Sequence, residues 1–138
     1  MKNQRYLSQD DVAKLYQLAE HMLRLDGAEI DAAEELSDIV TSAVRLPAGS
    51  RRKDIALLGS SITFASQASG QSSNVTLVLP TEADPAQGRI SVLTPIGLAL
   101  IGRKNNALVD VNLPSGRHEK MRIIDIQSAE ALETTSEP

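Results

Sequence analysis

The sequence predicts an α+β fold: a short antiparallel helical hairpin of coiled-coil character, followed by an antiparallel β domain that carries one short helix. Three observations predict it. Apolar residues step by three and four through the first fifty positions, they step by two from residue 55 onward, and one Pro-led apolar segment ending in Gly interrupts the second pattern. At 138 residues the chain suits one compact domain with an appended element and is too short for two large ones.

The first helix opens at Ser8, which stands three residues before Asp11 in capping-box spacing with Asp in place of the usual Glu. Leu15, Leu18, Met22 and Leu25 then form its seam, and Val12, Ala19 and Leu23 widen the stripe, as a helix packing on more than one neighbour requires. Asp26-Gly27 breaks the pattern. A second seam follows in Ala33, Leu36, Val40 and Ala43, with Ile39 and Val44 beside it, and Leu46-Pro47-Ala48-Gly49 ends it. Each seam covers under two heptads, so the hairpin must draw stability from packing near its base; isolated helices this short are marginal in water.

Arg51-Arg52-Lys53-Asp54 looks like the hinge into the body, although a charge run of three is usually a solvated loop, and it divides an arm over residues 1–50 from a body over 51–127. The body shows five strand patterns: Ile62 and Phe64; Val75, Leu77 and Leu79; residues 90–94; Val109, Val111 and Leu113; and Met121 with Ile123, Ile124 and Ile126. Between them, Ser66 to Ser73 is a hairpin loop, Pro80 to Gly88 a longer turn, and Pro114-Ser115-Gly116 a tight turn. Pro95 suits the first position of the short helix and Gly102 the left-handed residue after it, with Arg103 and Lys104 where a helix's carboxyl end attracts cations. Residues 128–138 carry little apolar material and are expected to be a disordered tail.

Charge and composition exclude several functions. The net charge of −4 is uneven: residues 1–50 hold five Lys/Arg against nine Asp/Glu, whereas residues 51–127 hold nine against six. An acidic arm on a mildly basic body is a poor footprint for duplex DNA and fits a protein partner better. Tyr6, Tyr16 and Phe64 are the only aromatics, too few for a base-stacking platform. The absence of Cys excludes disulfides, thiolate metal sites and thiol catalysis. No apolar run approaches the roughly 20 residues of a membrane helix, and with no secretory signal the protein is expected to be cytoplasmic.

The run from Arg89 to Lys104, together with Leu57-Leu58-Gly59-Ser60-Ser61-Ile62-Thr63-Phe64 and Leu108-Val109-Asp110-Val111, resembles the C-terminal domain of the GreA/GreB transcript-cleavage factors, from about Leu57 to Ile126. Within that superfamily, Leu77-Val78-Leu79-Pro80 and a short arm are similar to the branch named Rnk, for regulator of nucleoside diphosphate kinase. The resemblance implies a coiled-coil arm on an FKBP-like body that binds bacterial RNA polymerase at its secondary channel. It also implies that Thr94, Pro95, Arg103 and Lys104 are body interface candidates and that Asp26, Glu29 and Asp31 are arm-tip candidates. In the cleavage factors two tip carboxylates help hold a Mg²⁺, a hard cation that needs oxygen ligands. Asp26 and Glu29 keep the family's Asp-x-x-Glu spacing, but the adjoining Asn and Tyr are replaced by Ile30 and Asp31. Where the family has Gly-Asp after the basic turn, this chain has Asn106-Ala107; Asn still reaches the left-handed conformation.

Asp26, Glu29, Asp31, Glu34, Glu35 and Asp38 also suit the first turn and the solvated face of a helix. Nothing places a second ligand near His21 or His118, and no Ser has a base in a matching motif. Prolyl isomerisation needs an aromatic-lined pocket, and the body holds one aromatic residue, Phe64. The expectation is therefore a non-enzymatic regulator of transcription with no cofactor, metal or small-molecule substrate, which competes with cleavage factors on RNA polymerase. The alternatives are an active cleavage factor using Asp26 and Glu29, and a general FKBP-like interaction module.

Overall fold

The computed structural model describes residues 4–25, 30–47, 53–112 and 116–127. A two-residue strand, β1 (Tyr6–Leu7), leads into α1 (Gln9–Leu25) and α2 (Ile30–Ser42), and β2 (Val44–Arg45) follows the hairpin. The body then runs β3 (Ser61–Ser66), β4 (Ser72–Val78), β5 (Arg89–Ser91), α3 (Pro95–Leu100), β6 (Leu108–Asn112) and β7 (His118–Gln127).

The helical periodicity translates into burial as read. Leu15 and Ala19 on α1 face Ala33, Leu36, Ile39 and Val40 on α2, and all six are buried. All of these but Ala33 join Ile55, Leu57, Ile62, Leu77, Leu100, Ile101 and Ile123 in one core that runs from the arm into the body. That continuity supplies the packing two short helices need, since burying a Leu or Ile side chain is worth about 1.5–3 kcal/mol. Ser8 caps α1 as expected, its Oγ accepting from the Asp11 N–H at 3.1 Å.

The sheet departs from the expected antiparallel arrangement. Its order is β5-β4-β3-β7-β6, with β3–β4, β3–β7 and β6–β7 antiparallel but β4–β5 parallel, Leu77 pairing Ile90. The cause lies in the connection: Pro80 and Pro85 each start a 3-10 turn, and these turns carry the chain back so that β5 runs in the direction of β4. The third strand is also shorter than residues 90–94. It stops at Ser91, whose Oγ accepts from the Leu93 N–H and whose carbonyl accepts from Thr94 N–H, turning the chain into α3.

Two further differences concern the ends of elements. Val44, read with the second helix, instead pairs with Tyr6 in the small parallel sheet β1–β2, because α2 stops at Ser42. At the Thr63/Phe64 step of β3 the register with β7 shifts, so Ile124 falls between the Asp125 and Ile123 pairings and is 48% exposed. The loop pair Pro114-Ser115, the hinge arginines Arg51 and Arg52 and the tail 128–138 lie outside the described residues. Among the described residues no helix is long and apolar enough to cross a membrane.

Candidate functional site

The arm contributes an acidic face. Asp31 stands in the first turn of α2, and Glu34, Glu35 and Asp38 continue from it at spacings of three and four, all exposed. Residues so spaced are neighbours on one helix surface. No Lys or Arg occurs on α2 to neutralise them, and none stands in its last turn. Asp26 and Glu29, the other two tip candidates, lie outside the described residues.

The body contributes α3 and its flanks. Thr94 caps the helix: its Oγ1 accepts from the Gly97 N–H at 3.0 Å and donates to the Ser91 carbonyl at 2.8 Å. Pro95 occupies the first turn and is exposed. Gly97 presses against the end of β5; a Cβ there would lie 2.4 Å from the Ser91 carbonyl oxygen and 2.8 Å from Val92 Cα. Gly102 closes the helix with φ of 80°, as the left-handed residue read from the sequence. Asn106 likewise takes φ of 72°, so the turn survives the loss of the family's Gly.

The four body candidates divide in two. Thr94 and Pro95 meet at the start of α3, whereas Arg103 and Lys104 lie past its carboxyl end. Arg103 is half-buried and its Nε donates to the Ala99 carbonyl at 3.3 Å. Burial lowers its pKa, partly countered by Asp110. Lys104 is exposed, with its ammonium 5.0 Å from the Tyr6 ring centroid, a cation–π contact between body and arm root.

Sequence reasoning missed Arg5. Its Nη1 donates to the Leu98 carbonyl and, at 3.0 Å, to the Ile101 carbonyl. Burial first, and the nearby Arg103 charge second, push the Arg5 pKa down to about 10, with Glu35 pulling the other way. The sequence carries only half of the signal: a helix ending at Gly leaves its last carbonyls in need of donors, but nothing singles out Arg5 among the nine Lys/Arg that precede the end of α3.

The arm root is fastened at further points. The Tyr6 N–H donates to Gly102, the Leu46 N–H to Leu7, and Gln9 Nε2 to Leu46 at 3.2 Å. Asp11 is buried, and its Oδ2 accepts from the Leu58 N–H at 2.8 Å, reaching the body rather than serving α1 alone. An open groove beside this contact is lined by Lys14, Leu58, Thr76, Leu79, Glu82 and Arg89, among others, with charges of both signs. Among the described residues no group of three or more His, Asp or Glu side chains could hold a metal ion.

Comparison with known proteins locates this arrangement. The family described as "Transcription elongation factor, GreA/GreB, C-term" matches residues 51–128. A GreA from Chloroflexus aggregans is 33% identical over 141 residues, covering 80% of this chain and 90% of its own length. GreA from Desulfovibrio desulfuricans is 39% identical over 64 residues, 46% of this chain, and GreA from Geobacillus kaustophilus 31% over 102 residues, 66% of this chain. These two matches span 40% and 65% of the relatives' own lengths. A solved structure of a prokaryotic GreA/GreB elongation factor from Nitrosomonas europaea shares the fold, with a TM-score of 0.70 at 22% identity, covering 90% of this chain and 98% of that one. With more than half of its length matched by the family's C-terminal domain, the chain belongs to the GreA/GreB family of transcription elongation factors.

Proposed function

We propose that this protein is a non-enzymatic regulator that docks on RNA polymerase at or near the secondary channel and competes there with cleavage factors. The observation that carries the reading is the length of the arm. α1 has 17 residues, about 26 Å at 1.5 Å per residue. Its base is held by the body: Asp11 bonds Leu58, and Lys14 lines the groove beside that residue. From Leu15 to Leu25 only about 16 Å of helix remains to project. An arm of that reach enters a channel without carrying its acids to the catalytic metal.

Three further points support the reading. The exposed acids of α2 suit a basic channel lining, where complementary charge sets orientation and on-rate. Exposed Pro95 and half-buried Ile96 at the start of α3, with exposed Lys104 past its end, offer the mixed apolar and charged contact expected of a docking body. Leu77-Val78-Leu79-Pro80, which ends β4 and starts the first 3-10 turn, supports placement near the Rnk branch of the family. Cytoplasmic residence follows from the same reading.

The test uses stalled elongation complexes and a cleavage factor. Purified protein is expected to displace the cleavage factor from polymerase and to leave the transcript at its stalled length. Transcript shortening by the protein alone, abolished in an Asp26→Asn, Glu29→Gln variant, would replace this reading with that of an active cleavage factor.

A further inference from the structure

We propose that Arg5 and Asp11 are positioning residues that set the angle at which the helical arm leaves the body. The proposal rests on the polymerase reading for its purpose, while its geometry stands without it. Arg5 lies just ahead of β1. Its side chain reaches the Leu98 and Ile101 carbonyls at the end of α3, and its own carbonyl accepts from the Val44 N–H at 2.9 Å, on the strand by which the arm returns. Asp11 lies in the first turn of α1 and holds the Leu58 N–H, in the segment ahead of β3. The root is thus gripped on two separate elements of the body. The Tyr6 bond to Gly102 and the shared apolar core hold the root in place, and these two directed side chains add the constraint on its angle.

Position matters because the arm amplifies it. From Asp11 to Leu25 α1 rises about 21 Å, so a tilt of about 10° at the root displaces its far end by about 4 Å. The same α3 that receives Arg5 starts at Thr94 and Pro95, the proposed docking corner. Docking and arm direction are therefore read from one short helix. Both contacts are charge-assisted hydrogen bonds to backbone groups, whose directionality fixes geometry in a way that apolar packing does not. The Arg5 guanidinium is held here despite burial and the neighbouring charge of Arg103.

The chain has no Cys, so paired reporters can be introduced cleanly at exposed His21 on the arm and exposed Lys120 on the body. Spin labels at these sites give a distance distribution by pulsed dipolar spectroscopy. The unaltered chain and Asp11→Asn, whose amide oxygen still accepts from Leu58, are expected to give one narrow distribution. Asp11→Ala and Arg5→Met are expected to broaden or shift it by several ångströms while melting cooperatively. On polymerase, Asp11→Ala should compete with a cleavage factor at least fivefold less well, with Asp11→Asn within twofold of the unaltered chain. Unchanged distance distributions in both Asp11→Ala and Arg5→Met overturn the proposal. So does loss of folding in both, which would make these contacts determinants of stability rather than of angle. If the unaltered chain does not compete at all, the polymerase reading falls, and the distances still judge the two grips.

Discussion

Glu34→Lys should make the protein more stable and worse at its proposed task. On α2, Glu34 faces Asp31 three residues before it and Asp38 four residues after, and all three are exposed. A like-charge pair at these spacings costs about 0.2–0.5 kcal/mol and an opposite pair returns a similar amount. Reversing one charge therefore swings two pairs, by about 1–2 kcal/mol in all. The lower figure is expected, because an acid following a base along a helix is the weaker orientation. That corresponds to a rise in Tm of about 3–4 °C for a chain of this size, visible by calorimetry at low salt and shrinking at high salt as the charges are screened. In competition with a cleavage factor for polymerase, the same variant should bind at least fivefold more weakly, and Glu34→Gln should lie between. A stability gain with unchanged competition would refute the acidic face as a contact surface. A stability loss would refute the like-charge argument itself.

Other perturbations probe the body and the root. Gly97→Ala forces a methyl group into the backbone of Ser91 and Val92; a loss of about 3 kcal/mol, the upper end for overpacking because the clash is with backbone, is expected in urea denaturation, and a loss under about 1 kcal/mol would contradict the packing of α3 on β5. Asn106→Gly should be neutral, whereas Asn106→Val should cost about 1–2 kcal/mol at this positive φ, by the same measurement. Leu36→Ala, at a fully buried site between arm and body, should cost about 2–5 kcal/mol and raise hydrogen exchange in both helices. Burial and the Arg103 charge lower the pKa of folded Arg5 below that of an unfolded guanidinium, so as the pH climbs into the alkaline range the unfolded state binds more protons and this residue's contribution to stability rises. Urea midpoints at pH 8, 10 and 11 should show the unaltered chain gaining on Arg5→Met, and the reverse trend would contradict the assignment.

Elements whose signals are local were legible in the sequence. The seams through Leu15 and Leu36, the Ser8 cap and the Pro95-to-Gly102 helix all appear where spacing placed them, because helical periodicity and capping act within a few residues. Alternation also found all five body strands. It tells which face a side chain takes but not which strand lies beside it, so the parallel β4–β5 pairing was hidden. Ile124 looked inward by alternation, until the register shift opposite Phe64 turned it out. The candidate site divides in the same way: the helix-start and helix-end positions of Pro95 and Gly102 were legible, whereas Thr94 was read into the strand rather than as the cap, Arg5 bonds carbonyls 93 and 96 positions away and Asp11 an amide 47 away. No pattern within a helix announces a partner at such separations.

The pairing of Tyr6-Leu7 with Val44-Arg45 brings the outgoing and incoming ends of the arm through a single doorway. An element that enters and leaves at one place is a cassette. Matched insertions in α1 and α2 would lengthen it without rethreading the sheet, and a foreign hairpin joined at Leu7 and Val44 would inherit the same mounting. Reach can then be tuned by splicing alone, while the sheet and α3 stay untouched.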